Sequence, residues 1–149
     1  MTDPERLRRI VDIYSRTMGD LLRTRLYAAF GSRWWDDGIL AALDNTQRTA
    51  LRNQQMKNPD RDRMQLLGTN DISAIVSRHF DRVFAPSFPQ GKERTLALMD
   101  LVNRARIKLA NNQPLADKEI ETLVQAMSRL LAAAGYSRES RAVETAPRG

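Results

Sequence analysis

The segment Lys92 to Asn112, KERTLALMDLVNRARIKLANN, constrains the fold of this chain more than any other, because it is the most apolar run long enough to be a helix through a domain. At 3.6 residues per turn it carries two apolar rows, Leu96, Met99, Ile107 and Ala110 on one side and Leu98, Val102, Ala105 and Leu109 on another. A helix apolar on two sides is expected at the centre of a bundle. Asp100, Arg104 and Lys108, at i, i+4 spacing, form its only clearly wet edge. Arg106 lies off that edge, between Met99 and Val102, where a permanent charge needs an anionic partner, a cleft or a second subunit.

A length of 149 residues suits one domain with a single core, and 42% hydrophobic content is enough to fill it. The 24 Lys and Arg against 18 Asp and Glu leave a net charge of +6, a balance that favours polyanions such as nucleic acid or an acidic protein. The excess is mostly arginine scattered along helix faces, with no block of like charges, so an ordinary solvated surface competes with a phosphate track. There is no cysteine and one histidine, which excludes disulfides, thiolate metal sites and a histidine metal cluster; no metal or cofactor is expected. No apolar run approaches the ~20 residues of a membrane span, and the opening MTDPER has no leader character, so the expectation is a cytoplasmic protein away from membranes.

Along the chain, Thr2 or Asp3 can cap a first helix, with Pro4 in its first turn. Leu7, Ile10, Val11, Tyr14, Met18, Leu21 and Leu22 form its apolar stripe, and Asp12, Arg16, Asp20 and Arg23 its wet side; Arg25 falls on the stripe near its end, with its guanidinium escaping to solvent. Gly31 stops this helix, and the turn that follows holds Trp34 and Trp35. Adjacent side chains cannot share one face, so one tryptophan is expected in the core and the other at the rim or against a partner, where it could stack on a base. Residues 45 to 58 read as a short, mostly exposed helix, Thr69 as the cap of a helix from Asn70 to Phe84 with His79 pointing inward, and Ala85 to Gly91 as a loop. Asp117 caps a last helix with the most regular stripe, Ile120, Leu123, Val124, Met127, Leu130, Leu131 and Ala134, stopped by Gly135. Residues 137 to 149 lack periodicity and read as a flexible tail or linker beyond a domain spanning 1 to 136. No strand pattern or repeat is present. The expected fold is all-α, an antiparallel bundle of four principal helices with extra short ones.

Catalytic signatures are mostly missing. There is no glycine-rich phosphate loop, nucleophile elbow or paired-histidine metal motif, and a single inward histidine cannot build a triad. Thr46 to Lys57, with Arg48, Arg52, Asn53, Gln54 and Gln55, has the composition of a DNA recognition helix, but no partner helix of the helix-turn-helix kind is evident.

Several segments, in their order and spacing, carry a family likeness across Leu7 to Tyr136. They are Tyr27-Ala-Ala-Phe-Gly31 with Trp34-Trp35, then Asp71-Ile-Ser-Ala-Ile75 leading to Phe80-Asp-Arg-Val-Phe84, then Leu101-Val-Asn-Arg-Ala-Arg106, and Met127-Ser-Arg-Leu-Leu-Ala-Ala-Ala-Gly135. The chain resembles the HEPN superfamily (higher eukaryotes and prokaryotes nucleotide-binding domains), in the branch named for a eukaryotic nuclear transcript-surveillance endoribonuclease. The resemblance implies a central helix bearing Arg-x-x-x-x-His, usually with Asn after the Arg, that pairs across two subunits and cleaves RNA without metal. An arginine there stabilises phosphorane charge, and an imidazole moves protons. In this chain the Arg position is Arg106, the Asn position is Ile107 and the His position is Asn111. Asparagine cannot take and return a proton near neutral pH, and His79 on an apolar face is no evident replacement.

The resemblance therefore implies a non-catalytic interaction or dimerisation module, the N-terminal domain of a larger bacterial protein. It further implies a homodimer through the central helix and a setting in RNA processing, toxin-antitoxin pairs or anti-phage defence, with a fused or neighbouring ATPase or nuclease. Arg104, Arg106, Lys108, Asn111, Trp34 and Trp35 are the expected contacts to a partner or nucleic acid. Two alternatives stand beside it: a metal-independent endoribonuclease in which Arg106 acts with Asn111, Asn103 or Arg104, and a basic RNA- or DNA-binding adaptor.

Overall fold

The computed structural model is described over residues 4–146, and every regular element in that range is helical. Six α-helices follow in order: α1 Pro4–Phe30, α2 Asn45–Lys57, α3 Thr69–Arg78, α4 Lys92–Ala110, α5 Asp117–Ala133 and α6 Ser137–Thr145, joined by short 3-10 and π-helical turns. They form an all-α bundle in which α3 packs on α4, α4 on α5 and α5 on α6. The caps proposed at Thr2 and Asp3 lie outside the described residues.

The hub of the bundle is α1, not the Lys92 to Asn112 segment. Leu7, Ile10, Tyr14, Met18, Leu21, Leu22 and Leu26 recur every three or four residues and are all buried, and α1 packs against α3, α4, α5 and α6. Arg25 is exposed. Gly31, at φ +60°, ends α1 in the left-handed region where a Cβ is penalised. The chain then makes one π-helical turn, Trp34–Ile39, that folds back on α1; a Cβ on Gly38 would sit 3.1 Å from Leu26 Cδ2, so any larger residue there requires the Leu26 side chain to give way.

Helix α4 buries only Thr95, Met99, Val102 and Ala105. Of its two expected apolar rows, Leu96, Leu98 and Leu109 are half-buried, Ala110 is exposed and Ile107 is 57% exposed. It is a flank of the bundle, because helices cover it on one side only. It ends at Ala110, short of the expected Asn112, with Asn111 as its C-cap and Asn112 at φ +54°.

Four further expectations change. The helix read as Asn70 to Phe84 breaks at His79 and continues as a π-helical turn, Phe80–Phe84, and a 3-10 turn, Ala85–Ser87. The break lets Phe80, Phe84 and Phe88 all turn inward, with Phe80 and Phe88 stacked at 6.5 Å. Gly68, not Thr69, is the N-cap of α3, and Thr69 is buried in its first turn; Ala116, not Asp117, occupies the N-cap of α5, where Glu119 reaches back to accept the Ala116 N–H at 3.1 Å. The segment read as a flexible tail forms α6 through Thr145 and packs on α1 and α5, with Ser140 and Val143 buried. Of its two inward residues one is a serine, so the segment shows no apolar stripe in sequence although it docks on one face.

Within α1, Gly19 lies in the floor of a groove of about 270 Å³ formed with the 61–67 segment, and an added Cβ would meet no atom within 4 Å. Glycine in a helix interior costs about 1 kcal/mol relative to alanine. Gly19→Ala is therefore expected to raise the melting temperature by about 3 °C, and a lower melting point in a thermal denaturation would contradict this account of the site.

Candidate functional site

The motif positions lie on the C-terminal half of α4 and at the seam between α4 and α3. Arg104 is exposed and paired with Asp100 at 2.7 Å across one helical turn. Lys108 reaches to α5, where its Nζ donates to Glu119 Oε2 at 2.7 Å and thereby ties the two helices together. Both cations are engaged within the fold.

Arg106 is exposed, and of the anionic partner, cleft or second subunit expected for it the fold supplies a nearby carboxylate, Asp71. It does project from the same side as Met99 and Val102, but near the end of α4 that side runs past the N-terminus of α3 and opens to solvent. Its guanidinium comes within 4.0 Å of the position a Gly68 Cβ would occupy, beside the Asp71 carboxylate. Asp71 accepts the Gly68 N–H at 2.8 Å and a bond from the Gln47 side chain. Burial pushes the Asp71 carboxyl above its ordinary value, against the opposing effect of those two hydrogen bonds and of Arg106, and Asp44 nearby adds to the rise. One turn along the seam, Asn103 Nδ2 donates to Ser73 Oγ at 3.1 Å, while Asn103 Oδ1 is buried without a hydrogen-bond partner.

Asn111 is exposed, its backbone N–H bonded to the Ile107 carbonyl at 3.1 Å. Five residues apart on an α-helix, side chains diverge by about 140°, so Arg106 and Asn111 leave the end of α4 on different sides. The acidic neighbour that the fold brings to Arg106 is Asp71, a pairing between helices that periodicity along α4 does not show. The spacing Gly68-Thr-Asn-Asp71 was the available signal, a carboxylate three residues after a cap.

His79 sits in another part of the molecule. Half-buried, it makes an edge contact with Phe30 at 5.2 Å, and its Nε2 is 2.8 Å from the Gly38 carbonyl. Burial, with Arg78 and Arg82 adding to it, holds its pKa below the ordinary value, so at neutral pH the imidazole is uncharged and donates its Nε2–H to Gly38. It joins α3 to the Trp34–Ile39 turn.

The tryptophans divide as expected of neighbours. Trp35 is buried, Trp34 half-buried, and their rings meet edge to face at 5.7 Å. The Arg63 guanidinium lies 4.2 Å from the Trp35 ring centre and 5.2 Å from that of Trp34, and Arg23, 5.8 Å from Trp34, is bonded at 2.7 Å to Asp62. These cation–π contacts fasten the 61–67 segment to the bundle.

Among the described residues no group of three or more His, Asp or Glu is placed to hold a metal ion, and no helix is long and apolar enough to cross a membrane. Comparisons with protein-family models, with curated proteins and with solved structures return no match to this chain.

Proposed function

We infer that this protein is a non-catalytic, HEPN-like helical interaction module that grips a partner, in the first instance a second copy of itself, through the C-terminal half of α4. The observation that carries the reading is the exposed step Arg106–Ile107. A cation and a large aliphatic side chain stand in solvent on the flank of the bundle, and the Asp71 carboxylate beside Arg106 is already engaged as a helix cap. Pairing about a two-fold axis would cover Ile107 and place the two Arg106 side chains near each other's surface. With Asn111 where the resemblance places an imidazole, such a cleft holds and does not cut. The resemblance also supplies the setting, RNA processing or anti-phage defence beside an ATPase or nuclease.

The expected result in light scattering of the purified chain is a dimer at about 100 µM that Ile107→Glu converts to monomer by weakening association at least tenfold, as a buried charge at a two-fold contact requires. A wild-type monomer at that concentration would sink the pairing.

One observation favours a second reading. Asp71, with its carboxyl pushed upward beside Arg106, is the kind of group that could carry protons in a metal-independent endoribonuclease. Incubation with RNA in a chelator separates the two: no cleavage supports the interaction module, whereas cleavage lost in both Arg106→Ala and Asp71→Asn supports the nuclease.

A further inference from the structure

We propose that α2 is a nucleic-acid-contacting helix that lays its arginine row against a phosphodiester backbone, at a surface separate from the α4 flank. Helix α2 packs chiefly on the 3-10 turn Arg63–Leu66 and buries a single residue, Leu51. Gln47, Gln55 and Asn58 complete its inward side, and nearly all the rest of its circumference is in water. A helix that polar ordinarily owes its stability to i, i+4 ion pairs. Helices α1 and α4 have them, in Asp12–Arg16 and Asp100–Arg104.

In α2 the pattern is reversed. Between Asn45 and Lys57 there is no acidic residue, and Arg48 and Arg52 are like charges at i, i+4, a spacing that destabilises an isolated helix. Among the described residues neither of these arginines, nor Lys57, takes part in an ion pair. The helix is kept by its N-terminal capping box instead, in which Asp44 accepts the Gln47 N–H at 2.8 Å and the Gln47 side chain accepts the Asp44 N–H at 3.1 Å. The Gln47 side chain also bonds Asp71. Such a local departure from what helix stability asks for marks a surface shaped for something else.

The chemistry of that surface selects its partner. Arg48 and Arg52 lie one turn apart on one flank, exposed Asn53 and Lys57 follow on the outward side, and Gln54 lies on the other flank. Guanidinium groups pair two-pronged with phosphate oxygens, and amide side chains bond sugar, phosphate or base edges. A helix of this length spans about 20 Å, enough to meet several phosphates of one strand or to enter a groove. A polyanion would remove the like-charge repulsion that the free helix bears.

The test is fluorescence anisotropy of the full chain with two labelled probes, a 20-nucleotide single-stranded RNA and a 20-base-pair DNA duplex, over a salt series. In the triple variant Arg48→Gln, Arg52→Gln, Lys57→Gln, binding at about 0.1 M salt is expected to weaken at least tenfold. The slope of log K against log salt is expected to fall by at least about 1.4 for the single strand or about 1.8 for the duplex, the share of the two row arginines. Which probe shows the change identifies the form bound. A control triple, Arg8→Gln, Arg138→Gln, Arg141→Gln, removes the same charge from α1 and α6 and is expected to leave the slope nearly unchanged. Circular dichroism checks that both variants keep the wild-type helix content. Equal losses from the two triples, or no change in the α2 variant, would overturn the proposal. So would an α2-dependent affinity for polyglutamate or anionic vesicles in the absence of binding to either nucleic acid.

Discussion

Deleting residues 137–149 is expected to cost this protein roughly 3 to 5 kcal/mol of unfolding free energy. The deleted stretch holds α6, whose Val143 is fully buried and which covers part of both α1 and α5. Full burial of a valine contributes about 1.5 to 3 kcal/mol, and the apolar surface uncovered on the two helices adds at least as much again. Polar ties would go too. Ser128 and Ser140 share a hydrogen bond at 2.7 Å, Ser140 Oγ donates to the Ser128 carbonyl at 2.9 Å, Ser128 also bonds Glu144, and Arg6 Nε donates to the Ala146 carbonyl at 3.1 Å. Urea denaturation of the chain ending at Tyr136 should show a midpoint well below that of the full chain, with Val143→Ala falling between them at a loss of about 2 kcal/mol. Coincident midpoints for the two lengths would mean that α6 adds nothing to the core.

Phe84→Ala should be comparably damaging, at about 3 to 5 kcal/mol. Phe84 is fully buried in the π-helical turn after α3, flanked by the stacked Phe80 and Phe88. Removing its ring leaves a void that a turn pinned on both sides by aromatic residues cannot close. Phe84→Leu keeps most of the volume and is expected to cost less than about 1.5 kcal/mol. The ratio of the two losses in equilibrium unfolding is the informative quantity, because a turn free to rearrange would make them nearly equal.

The outcome at Arg106 shows how periodicity and tertiary structure divide the work. The helical projection set Arg106 beside Met99 and Val102, and α4 does carry all three on one side. Projection carries no information about how far the neighbouring helix extends. Because α3 begins beside that end of α4, the side that is dry at Met99 is open at Arg106, and the residue meets Asp71 and water instead of a sealed interior. Ile107 is exposed for a related reason, since no described element covers that side of α4.

Local chemistry made the helices legible. The spacing of Leu7, Ile10, Tyr14, Met18, Leu21 and Leu22, the stripe of α5 and the left-handed glycines at 31 and 135 follow from propensity, amphipathicity and backbone sterics, which act over a few residues. Which apolar rows become interior, which helix serves as the hub, whether α6 docks, and which carboxylate faces Arg106 depend on contacts between residues far apart in the chain. Those contacts arise when whole helices compete for the same limited apolar surface, and no window of sequence contains that competition.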